Sequence, residues 1–282
     1  MAINKIAVLG AGTMGQGIAW VLAAAGKKVV VFDIKQEFID RAVNSIGKSL
    51  TRAEEKGKAA PGTKDAVLNN ISGTVILDEL KDVDFVIECV FENMDVKKDV
   101  YTKLDSLLAP EVIIATNTSS LSITEIAAIT ERADKVIGMH FFNPANVMKL
   151  VEVIPALQTS DETLQTVFNL AKEIGKNPIK VKEGPGFVVN RILVPTINEG
   201  CTILQEGLAA AEDIDTAMKL GAGWPMGPLT LCDLVGGDIA LAVMETLFKE
   251  TGDPKYSPSG VLKQYVRAGW LGMKTKKGFY NY

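Results

Sequence analysis

One short stretch constrains the fold more than any other: Gly10-Ala11-Gly12-Thr13-Met14-Gly15, which ends the apolar run 5–10 and opens the helical pattern 16–23. A strand that turns at once into a helix needs glycine where a side chain would collide. Gly10 allows the tight turn, Gly12 lets a pyrophosphate approach the backbone, and Gly15 lets helix and strand pack closely, with Thr13 and Met14 at the helix N-terminus facing the anion. Glycine spacing alone is a weak signal. The strand before it, the helix after it and the acidic Asp33 ending the second strand make it specific for a dinucleotide. Asp33 is placed to accept hydrogen bonds from ribose hydroxyls and to repel a 2′-phosphate, so NAD is the expected cofactor, with NADP possible and FAD a rival on the same fold. The bland alternative is a glycine-rich turn beside an incidental surface aspartate.

Short β-branched runs recur at 5–10, 28–33, 83–90, 112–117, 135–142, 150–156 and 178–182, separated by longer helical patterns. Such alternation predicts an α/β fold, a Rossmann-type doubly wound, mostly parallel sheet covered by helices. A polar insertion, about 36–70, reads as a helical hairpin broken near Gly57 and Pro61. After Lys182 the punctuation Glu183-Gly184-Pro185-Gly186 marks a boundary, giving an expected division into 1–184 and 185–282. The second part reads as all-helical, with helices over 187–206 (bent at Pro195), 211–220, 228–248 and 261–268. Its long apolar stretches predict packing on a neighbour or on a second copy, so a homodimer or higher homo-oligomer is expected.

The net charge of -4 comes from 30 basic and 34 acidic residues without single-sign blocks, which argues against nucleic acid or a membrane surface as partner. No signal-like apolar segment precedes the first strand, and no apolar run reaches the roughly 20 residues of a membrane span, so a cytoplasmic protein is expected. Cys89, Cys201 and Cys232 lack metal or redox spacing and read as reduced packing residues.

The single histidine, His140, stands where the strand 135–142 runs into the turn Asn143-Pro144. It is the one imidazole available as a proton carrier near neutral pH. Glu152 interrupts the next apolar strand, where a carboxylate needs a proton or a partner. Paired, Glu152 would orient the ring and stabilise the imidazolium. Unpaired, His140 would be a satisfied core histidine and Glu152 an edge-strand surface residue. Ser119 lies at another strand end, where ligands of such sheets collect, but Thr118-Ser119-Ser120 also reads as a helix N-cap. Asn190, on an otherwise apolar helix, needs partners if buried, and a neighbouring backbone group is the simplest.

These stretches, together with Asn117-Thr118-Ser119-Ser120-Leu121, His140-Phe141-Phe142-Asn143-Pro144, Met148-Lys149-Leu150-Val151-Glu152-Val153, Pro185-Gly186-Phe187-Val188-Val189-Asn190-Arg191, Met226-Gly227-Pro228 and Lys277-Gly278-Phe279-Tyr280, closely resemble the L-3-hydroxyacyl-CoA dehydrogenase family. The resemblance covers nearly the whole chain. It implies NAD-dependent interconversion of a (3S)-3-hydroxyacyl-CoA, with short acyl chains such as C4 favoured, and the 3-oxoacyl-CoA. It further implies that His140 is the base, Glu152 its partner, and Ser119 and Asn190 the polar groups on the reacting oxygen. By the same resemblance Glu92, Lys97, Ser119, Asn143 and Lys274 contact NAD, Ser49 and Lys56 contact CoA, and the second module dimerises. The insertion then acquires a role, because Lys48, Arg52, Lys56 and Lys58 would offer a basic face to CoA phosphates. Without the resemblance this is a solvated helix whose charge Glu54 and Glu55 partly cancel. Two alternatives stand beside this reading: a dehydrogenase of a free hydroxy acid or sugar acid, and a non-catalytic NAD-binding protein.

Overall fold

The computed structural model describes residues 3–282. It forms two compact units, one ending at Glu183 and the other spanning Gly184–Tyr282. The first is built on strands β1 (Lys5–Leu9), β2 (Lys28–Phe32), β3 (Ile71–Thr74), β4 (Phe85–Glu88), β5 (Ile113–Thr116), β6 (Val136–Phe141), β7 (Leu150–Pro155) and β8 (Asn177–Lys180). Helices α1 (Thr13–Ala24), α2 (Gln36–Glu55), α3 (Thr63–Leu68), α4 (Met94–Leu107), α5 (Ile123–Ala127) and α6 (Asp161–Glu173) intervene. The eight strands lie in the order β3-β2-β1-β4-β5-β6-β7-β8, and every pairing is parallel except β6 with β7. The chain leaves β1 toward β2 and β3, then returns to β4 on the other side. That reversal opens a crevice at the carboxyl ends of β1 and β4, where ligands of such sheets bind.

The expected α/β fold with its helical insertion is present, and the insertion is α2 followed by α3. One strand escaped the sequence reading: β3, Ile-Ser-Gly-Thr, is short, polar and at the sheet edge. Its Gly73 sits under Ile39 of α2, where a Cβ would come within 2.3 Å of that side chain, so packing rather than strand propensity places it. The antiparallel β6–β7 pair follows from the short connection 142–149, which leaves no room for a crossover helix.

The second unit holds α7 (Val189–Gln205, containing Pro195), α8 (Ala211–Gly221), α9 (Pro228–Val235), α10 (Gly237–Thr251) and α11 (Gly260–Arg267). The single helix expected over 228–248 is two, because Gly236 adopts φ 109°, a backbone state closed to helix. The dipeptide Gly236-Gly237 was the visible signal. Among the described residues no helix is long and apolar enough to cross a membrane.

Candidate active site

The three turn glycines do three different things. Gly10 has φ 97°, and a Cβ there would stand 2.5 Å from the Cys89 carbonyl oxygen, so the turn after β1 lies tight against the loop after β4. At Gly15 a Cβ would fall on the Gly10 carbonyl, which is how α1 packs onto β1. At Gly12 a Cβ would meet nothing within 4 Å, and no side chain caps α1, whose first turn carries Thr13 and Met14. The backbone N–H groups of that turn are thus presented to an anion, and the residues fit a dinucleotide pyrophosphate. The Ala11 N–H donates to Asp33 Oδ2 at 2.7 Å, which ties the acidic residue at the end of β2 to the turn it serves.

Along the same sheet edge lies a second constellation. In β6 the side chains alternate: Ile137, Met139 and Phe141 enter the main core, while Gly138 and His140 face the other way. Gly138 leaves room for Ile123 of α5, since a Cβ there would come within 2.3 Å of it. Antiparallel register sets His140 directly opposite Glu152. Directly opposed cross-strand residues have neighbouring Cβ atoms. The result is a contact of 2.8 Å between His140 Nδ1 and Glu152 Oε2, with the carboxylate fully buried and the ring nearly so. An ionised carboxylate only accepts, so against it Nδ1 is the donor of this bond. Phe142 packs on the ring at a centroid separation of 4.6 Å. The reading of Glu152 as an edge-strand surface residue is therefore wrong.

Ser119 stands in the loop after β5, and it is not a helix cap: Ser122 caps α5, accepting from the Glu125 N–H. Glu92, from the loop after β4, organises this segment. Its Oε1 accepts from Thr118 Oγ1 at 2.6 Å, the Ser119 N–H at 2.9 Å, and both the N–H and Oγ of Ser120 at 3.1 Å. Burial opposes ionisation of Glu92, but the Lys97 ammonium and the bonds from Thr118, Ser119 and Ser120 outweigh it and hold the carboxyl below its ordinary range. Lys97 is itself 1 % exposed and bonds both oxygens of the fully buried Glu88, at 2.7 and 2.8 Å. Next to this loop, Asn117 Oδ1 accepts from the Phe141 N–H at 2.8 Å and fastens the end of β5 to the end of β6.

A turn that fits a dinucleotide and a buried imidazole–carboxylate pair lie on one sheet edge, and comparison with known proteins says what such a scaffold belongs to. The model of the 3-hydroxyacyl-CoA dehydrogenase NAD binding domain matches residues 5–184, and that of the C-terminal domain of the same enzymes matches 186–282. The chain belongs to the 3-hydroxyacyl-CoA dehydrogenase family. It is an NAD-dependent oxidoreductase. It is 52% identical over 278 residues to the 3-hydroxybutyryl-CoA dehydrogenase of Clostridioides difficile, covering 99% of each chain. Against the human mitochondrial hydroxyacyl-coenzyme A dehydrogenase it is 40% identical over 287 residues, 99% of this chain and 91% of the other. The crystal structure of (S)-3-hydroxybutyryl-CoA dehydrogenase from Ralstonia eutropha superposes with a TM-score of 0.96 at 49% identity, covering 100% of this chain and 99% of that one.

Within this member of the family the other expected site residues fall in three places. Asn143 is exposed in the loop after His140, and Lys176 clamps that loop by donating to the carbonyls of Ala145 and Met148 at 2.5 and 2.8 Å. Ser49, Arg52 and Lys56 fall at helical spacing on one side of α2, with Lys56 at its C-cap and both cations exposed. Glu54 leaves that side, since its Oε1 accepts the Lys64 N–H of α3 at 2.8 Å, whereas Glu55 lines the same surface as Lys48 and Arg52 and still offsets part of its charge. Asn190 is half-buried in the first turn of α7, and Lys274 pairs with Asp238 at 2.6 Å, both within the second unit. Sequence reasoning passed over Glu88, Thr116 and Lys176, and quoted Asn117 only as part of a motif. Glu88 carried a signal: a carboxylate closing an apolar strand, as Glu152 interrupts one.

Proposed function

We propose that the protein interconverts (3S)-3-hydroxyacyl-CoA, with 3-hydroxybutyryl-CoA the preferred substrate, and the corresponding 3-oxoacyl-CoA. The observation that carries this reading is the 2.8 Å contact between His140 Nδ1 and Glu152, fixed by strand register on the sheet edge that also bears the dinucleotide turn. NAD, when bound, supplies the hydride acceptor of the oxidation. His140 takes the C3 hydroxyl proton through Nε2, and Glu152 holds the ring by Nδ1 and stabilises the imidazolium that forms. In the reducing direction the same nitrogen returns the proton to the C3 oxygen. Ser119 and Asn190 bond that oxygen and hold C3 in line.

Asp33 and the turn 10–15 hold the adenosine and pyrophosphate, and Glu92, Ser119, Asn143 and Lys274 serve the nicotinamide half, with Lys97 behind Glu92. Ser49 and Lys56 bind CoA, a reading supported by the basic, Glu54-free side of α2. The protein works as a homodimer or higher homo-oligomer through its second unit, whose surface exposes Ile192, Leu208, Leu220, Ile239 and Phe248. Light scattering showing only monomers would reject that assembly.

The reaction is tested by following NADH oxidation by absorbance with acetoacetyl-CoA and, in parallel, with free acetoacetate. Turnover with the thioester alone is expected. Equal turnover with the free acid would replace this reading by that of a free hydroxy-acid dehydrogenase.

A further inference from the structure

Beneath the Ser119 loop lies a pair of charges of which the proposed chemistry leaves one, Glu88, without a role. Glu88 and Lys97 are 0% and 1% exposed. Burying both is costly, and an apolar pair of similar volume is often as stable or more so. Their neighbours give them a task. Glu88 is fully engaged: Lys97 Nζ bonds both its oxygens, the Val90 N–H donates to Oε1 at 2.8 Å and Thr116 Oγ1 to Oε2 at 2.8 Å.

From Glu88 two lines run to the same loop. One passes through Lys97, whose ammonium lies 3.5 Å from Glu92 Oε2, and Glu92 then accepts the bonds from Thr118, Ser119 and Ser120 through its other oxygen. The second passes through Thr116, whose hydroxyl donates to Glu88 while accepting the Thr118 N–H at 3.2 Å. Charge alternates along the first line, negative, positive, negative, and then meets backbone N–H groups. Each member therefore fixes the next electrostatically in a site of low dielectric.

We infer that Glu88 is a positioning residue for the reaction, acting through Lys97–Glu92 and through Thr116 to set the Ser119 loop. The inference rests on the proposed role of Ser119 at the reacting oxygen. Without the Glu88 charge, the buried Lys97 ammonium has Glu92 as its nearest carboxylate and draws it inward, away from Ser119. Lys97 thereby acts on the cofactor and substrate side through Glu92 rather than by direct contact.

Two variants test this in the full-length protein: Glu88→Gln, and Glu88→Gln combined with Lys97→Met, which removes both charges of the buried pair. Steady-state NADH oxidation with acetoacetyl-CoA is measured beside thermal unfolding. Both variants are expected to lose about 10²-fold in kcat, the size of effect a misplacement of about 1 Å produces. The KM for acetoacetyl-CoA should move by less than about threefold, because CoA is held on α2. A folded double variant with the parent's kcat overturns the inference and leaves a core ion pair. A wild type inactive on acetoacetyl-CoA overturns the proposed reaction and the positioning role together, so the two failures are told apart by the wild-type arm.

Discussion

The two units bury carboxylates in opposite ways. In the first, Glu88 and Glu152 are fully buried and face groups that carry or can gain a positive charge, Lys97 and His140. In the second, Asp215 and Asp233 are 3% and 2% exposed and are surrounded by amides and hydroxyls. Asp215 accepts the N–H groups of Leu229 and Thr230 at 2.8 Å and the Tyr280 hydroxyl at 2.9 Å. Asp233 accepts the N–H groups of Phe279 and Tyr280 at 2.9 Å and the Tyr282 hydroxyl at 3.1 Å. Burial, together with these aspartates, pushes both tyrosine hydroxyls up, so they stay protonated donors across the physiological range. A carboxylate satisfied by donors that do not titrate is a clasp. One opposed by an imidazole is, on the proposed mechanism, a device for moving a proton.

The comparison breaks if both kinds of pair respond alike to loss of charge. The largest effect is expected at His140→Gln, which should lower kcat about 10³-fold or more with the fold retained by circular dichroism, since it removes the proton carrier. Glu152→Gln should lower kcat about 10²-fold, because the ring loses the partner that fixes its tautomer. Asp215→Asn should leave kcat within about threefold of the parent yet cost about 2 kcal/mol in denaturant unfolding, as an amide nitrogen now confronts backbone N–H donors. If Asp215→Asn costs turnover as Glu152→Gln does, the distinction between clasp and proton device fails. The smallest effect is at the surface: Lys56→Glu should raise the KM for acetoacetyl-CoA about tenfold and leave that for NADH unchanged, whereas equal shifts would remove Lys56 from the CoA face.

How much of this was legible in the chain differs by element. The turn 10–15 could be read because its glycines answer local demands, which the structure shows as close backbone approach at Gly10 and Gly15, while Gly12 faces open space. His140 and Glu152 were visible as polar interruptions of apolar strands, but their meeting depends on antiparallel register, which spacing alone does not set. Glu88 carried the same kind of interruption. Its significance depends on Lys97 one helical turn into α4 and on Thr116 in the neighbouring strand β5, contacts that only the folded sheet creates. β3 was hidden because Ile71-Ser72-Gly73-Thr74 is held by its neighbours, Val29–Phe32 on one side and α2 above, rather than by its own pattern. The C-terminal motif Lys277-Gly278-Phe279-Tyr280 was noticed as a resemblance, and its physical basis is the Asp233 clasp: a Cβ on Gly278 would fall 2.0 Å from Asp233 Oδ1.

Because His140 is the only histidine, selective ¹⁵N-histidine labelling gives a spectrum of one imidazole, with no assignment needed. The nitrogen chemical shifts of the neutral ring distinguish its two tautomers. The pairing with Glu152 requires the hydrogen on Nδ1 and leaves Nε2 as the basic nitrogen; a neutral ring protonated on Nε2 would contradict the account.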